Sequence, residues 1–345
     1  MLDTAIHAIY RFCLDLRVKP EDDDEERTIS MARKIIIDTD PGQDDAIAIL
    51  LALASPELEV IGITTVAGNV PLNLTTKNAL KILEVAGKTE IPIFAGCDAP
   101  LKRKLVTAEH VHGATGLNGI ALPEPKIKAQ SQHGVDFIIQ ALRGNETGTI
   151  TLCPLGPLTN IASAMQKAPD IISKINEIVL MGGAYFEVGN ITPAAEFNIY
   201  VDPEAADIVM RSGVKITMLP LDVTHQVLTT NKRISRLKNS GNETGKIVAS
   251  WVDFFERFDE EKYGSDGAPL HDPCVIAYLI KPELFWGRQI NVQIETQSDL
   301  TRGMSVADYW GVTDKQECPR NVKFLRNANA NGFYELLFER LKKLP

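Results

Sequence analysis

The sequence predicts an α/β fold with a mostly parallel central sheet and helices on both faces. Three observations carry this. From Lys34 onward, short apolar runs alternate with stretches of helical period. The short runs are apolar on both faces, as strands covered from both sides must be. Several of them end in polar or glycine-rich loops, where open α/β sheets place their ligands.

The elements follow in order. Lys34–Ile37 reads as a buried strand and Asp45–Ala54 as a helix. Leu58–Val66 is a strand, Leu74–Ala86 a helix and Ile91–Ala95 a short strand. Strand Thr149–Cys153 precedes helix Leu158–Gln166, and strand Ile175–Met181 precedes helix Pro203–Arg211 and strand Val214–Leu219. The last part reads as more helical, with Glu243–Glu261, His271–Ile280 and Gly332–Lys343. No linker or repeat divides 34–345, which reads as one domain.

Composition bounds the function. With 345 residues, 44% hydrophobic and 23% charged, the chain has enough apolar material for a sizeable core, which excludes a disordered or fibrous protein. A net charge of -9 without a basic patch excludes a general nucleic-acid binder. No apolar run reaches the ~18 residues of a membrane span. The first residues carry Asp3, His7, Arg11 and Asp15, unlike a signal peptide. Five scattered cysteines without a CxxC pair fit buried thiols in a reducing cytoplasm. Residues 1–33 read as a flexible extension: an amphipathic stretch over 5–18, the acidic run 21–26, then Met31 just ahead of the first strand.

The first strand runs into Asp38-Thr39-Asp40-Pro41-Gly42-Gln43-Asp44-Asp45. Helix capping, with Asp44 as N-cap and Asp45 favoured by the helix dipole, explains one or two of these carboxylates. It does not explain the cluster. Converging carboxylates raise one another's pKa unless a cation sits among them, and Ca2+ or Mg2+ with oxygen ligands is the natural solution. Downstream, His271-Asp272-Pro273 precedes an apolar helix, and a plain helix start accounts for it equally well. Residues 189–198 offer Asn190, Glu196 and Asn198, groups that bind hydroxyls or satisfy their own loop.

Together these segments resemble the nucleoside hydrolases, the inosine-uridine-preferring N-ribohydrolases. The resemblance rests on DTDPGQDDA (38–46), TTVAGN (64–69), HGATGL (112–117), GPLTN (156–160), MGGAY (181–185), NITPAAEFN (190–198) and GAPLHDPC (267–274), in that order. It spans about 34–340, and helix 251–258 with the GAPLHDP stretch is most similar to the pyrimidine-preferring members. The resemblance implies a Rossmann-like fold and one Ca2+ held by Asp40, Asp45, the Leu155 carbonyl and Asp272. It implies that Asp40 deprotonates the attacking water, which the ion acidifies. Asp44, Asn69, Glu196 and Asn198 would hold ribose hydroxyls, Asn190 the 5′-hydroxyl, and Met181 would pack near the sugar. The C1′–N bond would break through an oxocarbenium-like state stabilised by carboxylates. His271 and His112 are the implied contacts to the leaving base, with Phe258 where relatives carry an aromatic hydroxyl and Tyr263 nearby. His110, His133 and His225 match no catalytic position. The implied protein is a cytoplasmic homodimer or homotetramer acting on uridine and cytidine in nucleoside salvage or catabolism.

Other readings are a purine-preferring or broad nucleoside hydrolase, a non-catalytic Ca2+-dependent nucleoside binder, and a haloacid-dehalogenase-type phosphohydrolase. The last lacks its usual residues after the second Asp, and the Asp44-Asp45 pair would repel phosphate.

Overall fold

The computed structural model describes residues 32–263, 267–313 and 319–345, with backbone alone over 255–263. Residues 1–31 of the expected extension 1–33 lie outside the described residues, as do Cys13 and Cys318. Ala32–Pro345 form one compact unit.

Its centre is the isoleucine run of the first strand, β1 (Arg33–Thr39). Ile35 and Ile37 face one hydrophobic core and Ile36 the other, all fully buried. A strand buried on both sides needs apolar residues at both parities, and each such side chain contributes about 2 kcal/mol on burial. The next helix, α1 (Gln43–Leu53), is buried from Gln43 to Ala52, as an all-round apolar helix must be. There follow β2 (Leu58–Thr65), α2 (Leu72–Ala86), β3 (Ile93–Ala95), α3 (Glu109–His112) and α4 (Gly134–Gly144). Next are β4 (Ile150–Pro154), α5 (Thr159–Lys167), β5 (Ile175–Met181), α6 (Phe197–Val201), α7 (Pro203–Met210), β6 (Ile216–Leu219) and α8 (Leu221–Thr224). The rest comprises β7 (Leu228–Thr229), α9 (Asn231–Lys238), α10 (Glu243–Tyr263), β8 (Ala268–Pro269), α11 (Pro273–Ile280), β9 (Phe285–Ile294), β10 (Ser305–Asp308), β11 (Val322–Ala328) and α12 (Ala330–Leu341).

Among the described residues nine strands make one sheet in the order β10-β9-β11-β6-β5-β4-β1-β2-β3. All neighbours are parallel except β9, which runs antiparallel to both β10 and β11. Helices α1, α2, α11 and α12 cover one face, and α4, α5 and α7 the other. The strand order reverses between β1 and β4, so their carboxyl ends open a crevice.

The elements expected through β6 are present with shifted ends. The last part differs from the expectation. It contributes β9, β10 and β11 as well as helices, and the helix expected from His271 begins at Pro273. Among the described residues no helix is long and apolar enough to cross a membrane. Cys97, Cys153 and Cys274 are free thiols.

Candidate active site

The crevice at the β1–β4 reversal is a cleft of about 700 Å³. It is lined by Asp44, Asn69, His112, Leu155, Met181, Asn190, Glu196, Asn198, His271 and Asp272, ten of the expected positions. Asp40 and Asp45 are almost fully buried. The side chains of Phe258 and Tyr263 lie outside the described residues.

Asp40 follows β1, and one of its carboxylate oxygens accepts the Asn69 N–H at 2.7 Å. A Cβ on Gly68 would come within 2.0 Å of Oδ2, and one on Gly156 within 2.2 Å of Oδ1. The loops after β2 and β4 therefore close onto Asp40 only because both positions are glycine. Asp45 accepts from Thr39 Oγ1 at 2.5 Å and from the Gly42 N–H at 2.9 Å. It thus caps α1 from its third position, and Asp44 is not the N-cap; that position is Gly42. Asp272 sits at the start of α11 but makes no side-chain capping bond. Helix capping therefore does not account for it. One oxygen each from Asp44, Asp45 and Asp272 lie within 4.8 Å of one another.

This cluster is under electrostatic pressure. Burial, then repulsion from Asp45, pushes Asp44 up to about 7. Burial first, then Asp45, holds Asp40 well above the usual carboxylate range, against the Asn69 N–H. Asp272 is raised by burial and then by Asp44, Asp45 and Asp40. Buried, oxygen-only and mutually repelling donors fit a hard divalent cation. Asp38 plays another part. It ties Thr64 and Asn160 together at 2.5 and 2.7 Å, and burial raises it to about 7.

The loop after β5 and the short helix α6 form the next wall. Glu196 caps α6, accepting the N–H groups of Asn198 and Ile199 through its two oxygens, and it also accepts from Gly183. Asn190 accepts the Phe197 N–H at 2.9 Å. Asn198 donates to the Leu155 carbonyl at 2.7 Å and to Met181. These groups are oriented by the chain's own backbone while lining the cleft.

His112 and His271 complete it. Gln43 donates through its amide nitrogen to the carbonyls of His112 and Asn118, both at 3.0 Å. Its oxygen is thereby turned to His112 Nδ1 at 2.7 Å. Nδ1 is then the donor, and the neutral ring carries its lone pair on Nε2. Burial, then His110, lowers the His112 pKa to about 3. His271 Nδ1 lies 2.8 Å from Thr224 Oγ1, and burial is the main cause holding its pKa well below the ordinary value. Sequence reasoning missed Gln43, a spacer inside a motif. It also set aside His110 and His225, which line the same cleft.

This chain is similar along most of its length to known proteins. An uncharacterized protein of Schizosaccharomyces pombe is 57% identical over 312 residues, which cover 90% of this chain and all of that protein. The pyrimidine-specific ribonucleoside hydrolase RihA of Photobacterium profundum is 49% identical, with 90% of this chain and 99% of RihA covered. The solved purine-preferring ribonucleoside hydrolase of Gardnerella vaginalis superposes with a TM-score of 0.83 at 34% identity, covering 90% of this chain and 98% of that one. The family described as inosine-uridine preferring nucleoside hydrolase matches residues 35–335, and this chain, an N-ribohydrolase, belongs to it.

Proposed function

We propose that this nucleoside hydrolase prefers uridine and cytidine, releases free base and ribose, and depends on Ca2+. The observation that carries the reading is the joint lining of one cleft by carboxylates and two ring-oriented histidines, His112 and His271. The pyrimidine-specific relative supports the choice of base.

Asp40, Asp45, Asp272 and the Leu155 carbonyl would hold the ion. When bound, it would neutralise the carboxylates and acidify a water molecule. The rest falls to the chain. Asp40 is the proton acceptor for the attacking water, its orientation set by the Asn69 N–H. Asp44, Asn69, Glu196 and Asn198 orient the ribose hydroxyls, and Asn190 the 5′-hydroxyl, beside Met181. Negative charge around the sugar stabilises the oxocarbenium-like state at C1′. A pyrimidine has no N7 to protonate, so charge building on its ring is met at an exocyclic oxygen or ring edge. His112 and His271 would make that contact.

The similarity to a purine-preferring structure favours a second reading, in which inosine is the better substrate. We take the chain from Arg33 on as the catalytic domain, one residue earlier than the expected boundary at 34, and the residues before it as an extension outside it. We place the enzyme in the cytoplasm, as a homodimer or homotetramer, in nucleoside salvage or catabolism. The test of the central reading is kcat/KM for uridine, cytidine, inosine and adenosine with wild type, His112→Ala and His271→Ala. Each variant should lose about 10²-fold or more on uridine. Inosine as the best wild-type substrate, or variants within a few-fold of wild type, would overturn the base-side reading.

A further inference from the structure

The cleft contains a histidine that neither the motifs nor the reading above uses. His225 follows α8 and lines the cleft with its ring centre 5.8 Å from that of His271. Its Nδ1 lies 3.3 Å from Glu187 Oε2. Glu187 is outside the cleft lining. The ring thus joins a group outside the cleft to the cleft that it lines.

The partner is held in place. The Asp222 carboxylate, on α8 and almost fully buried, accepts the backbone N–H groups of Tyr185, Phe186 and Glu187 at 3.0, 2.6 and 3.3 Å. Phe186 packs under the Arg326 guanidinium at 3.8 Å and edge-on to Tyr309 at 5.1 Å. On the other flank, Gln226 donates to the Asp222 carbonyl at 2.7 Å and accepts the Ala328 N–H at 3.2 Å. Loop 185–187 and the turn carrying His225 are thus locked to each other through Asp222. An imidazole oriented by a carboxylate presents its second nitrogen in a set direction. Here the ring stands beside His271, itself read as a contact to the leaving base.

We propose that His225 contacts the nucleobase and helps decide which base leaves fastest, with Glu187 as its positioning residue. The proposal rests on the nucleoside hydrolase reading and adds a base-selecting group to it. A ring held by Glu187 reaches the exocyclic group of a pyrimidine by a directed hydrogen bond; a purine presents its six-membered ring edge at a different distance from C1′.

The experiment compares uridine, cytidine and inosine with 4-nitrophenyl β-D-ribofuranoside, whose leaving group departs without help from a base contact. Wild type, His225→Ala, Glu187→Ala, Glu187→Gln and the double variant His225→Ala/Glu187→Ala are measured. His225→Ala should cut kcat/KM on uridine by about 10- to 100-fold, the loss of one directed polar contact. The uridine-to-inosine ratio should move by about tenfold, with the nitrophenyl riboside within about threefold of wild type. Glu187→Ala should reproduce part of this loss and Glu187→Gln, which keeps an acceptor, should restore most of it. Glu187→Ala should add nothing in the His225→Ala background, as coupled positions do. An unmoved uridine-to-inosine ratio, or a parallel fall on the nitrophenyl riboside, overturns the proposal. A wild-type protein that releases ribose from no nucleoside overturns the functional reading itself, and the two failures are distinguishable.

Discussion

The two sides of the cleft are built on different principles. The carboxylate side is centred on the loop after β1 at the sheet's reversal point, with Glu196 and Asp272 added from later in the chain, and Asp40, Asp45 and Glu196 take backbone N–H groups as partners. The histidine side is gathered from α3, α8 and the start of α11, and side chains orient its rings: Gln43 for His112, Thr224 for His271 and Glu187 for His225. A backbone partner cannot be exchanged by substitution, whereas a side-chain partner can. The difference teaches that the half proposed to hold the sugar is oriented largely by backbone, while the half proposed to meet the base is adjustable residue by residue.

The sharpest way to break this contrast is Asp40→Asn. It removes a proposed ligand and the proton acceptor together, and kcat should fall by about 10⁴-fold with every base alike. A near-wild-type rate would remove Asp40 from its role. Next comes chelation. EGTA should abolish turnover and lower the melting temperature, with Ca2+ restoring both; full activity in a chelated, calcium-free preparation sinks the assignment. The chelated protein carries a pH signature. Asp38 and Asp44 titrate at about 7 when folded against an ordinary 3.8. The folded chain therefore holds these protons more tightly than the unfolded one. Their contribution is complete below about pH 4 and is lost as pH rises to about 7. Scanning calorimetry on chelated protein should give a higher melting temperature at about pH 5 than at about pH 8, and added Ca2+ should raise it most at the higher pH.

Gln43→Ala probes the adjustable side. Releasing His112 from its tautomer and orientation should cost about tenfold in kcat/KM on uridine, while 4-nitrophenyl β-D-ribofuranoside is cleaved as before. Equal losses on both would place Gln43 with the carboxylate half. The smallest effect is expected from deleting residues 1–30: turnover and melting temperature should match the full chain, and loss of either would make the extension part of the folded enzyme.

The same contrast explains what was legible in the sequence. The run Ile35–Ile37 and the acid-rich loop behind it sit side by side in the chain, so strand, loop and helix could be read in one stretch. Strand β9 could not. Its residues Trp286 to Gln289 are exposed, so Arg288 and Gln289 interrupt the apolar pattern of a half-covered antiparallel strand. Gln43 was passed over because its partner His112 lies 69 residues away. His225 was set aside because its partner Glu187 is 38 residues distant, and a solitary histidine carries no spacing to notice. In sequence Asp272 reads equally as a plain helix start or a ligand, and the start of α11, which lacks its carboxylate as cap, separates the two.

Gly68 and Gly156 press against the two oxygens of Asp40 from opposite loops. A single methyl group at either place would displace that carboxylate without changing any charge. An added side chain at either position therefore has no room beside Asp40. A library that randomises these two glycines would displace Asp40 in nearly every clone, and we expect productive variation on the histidine side of the cleft.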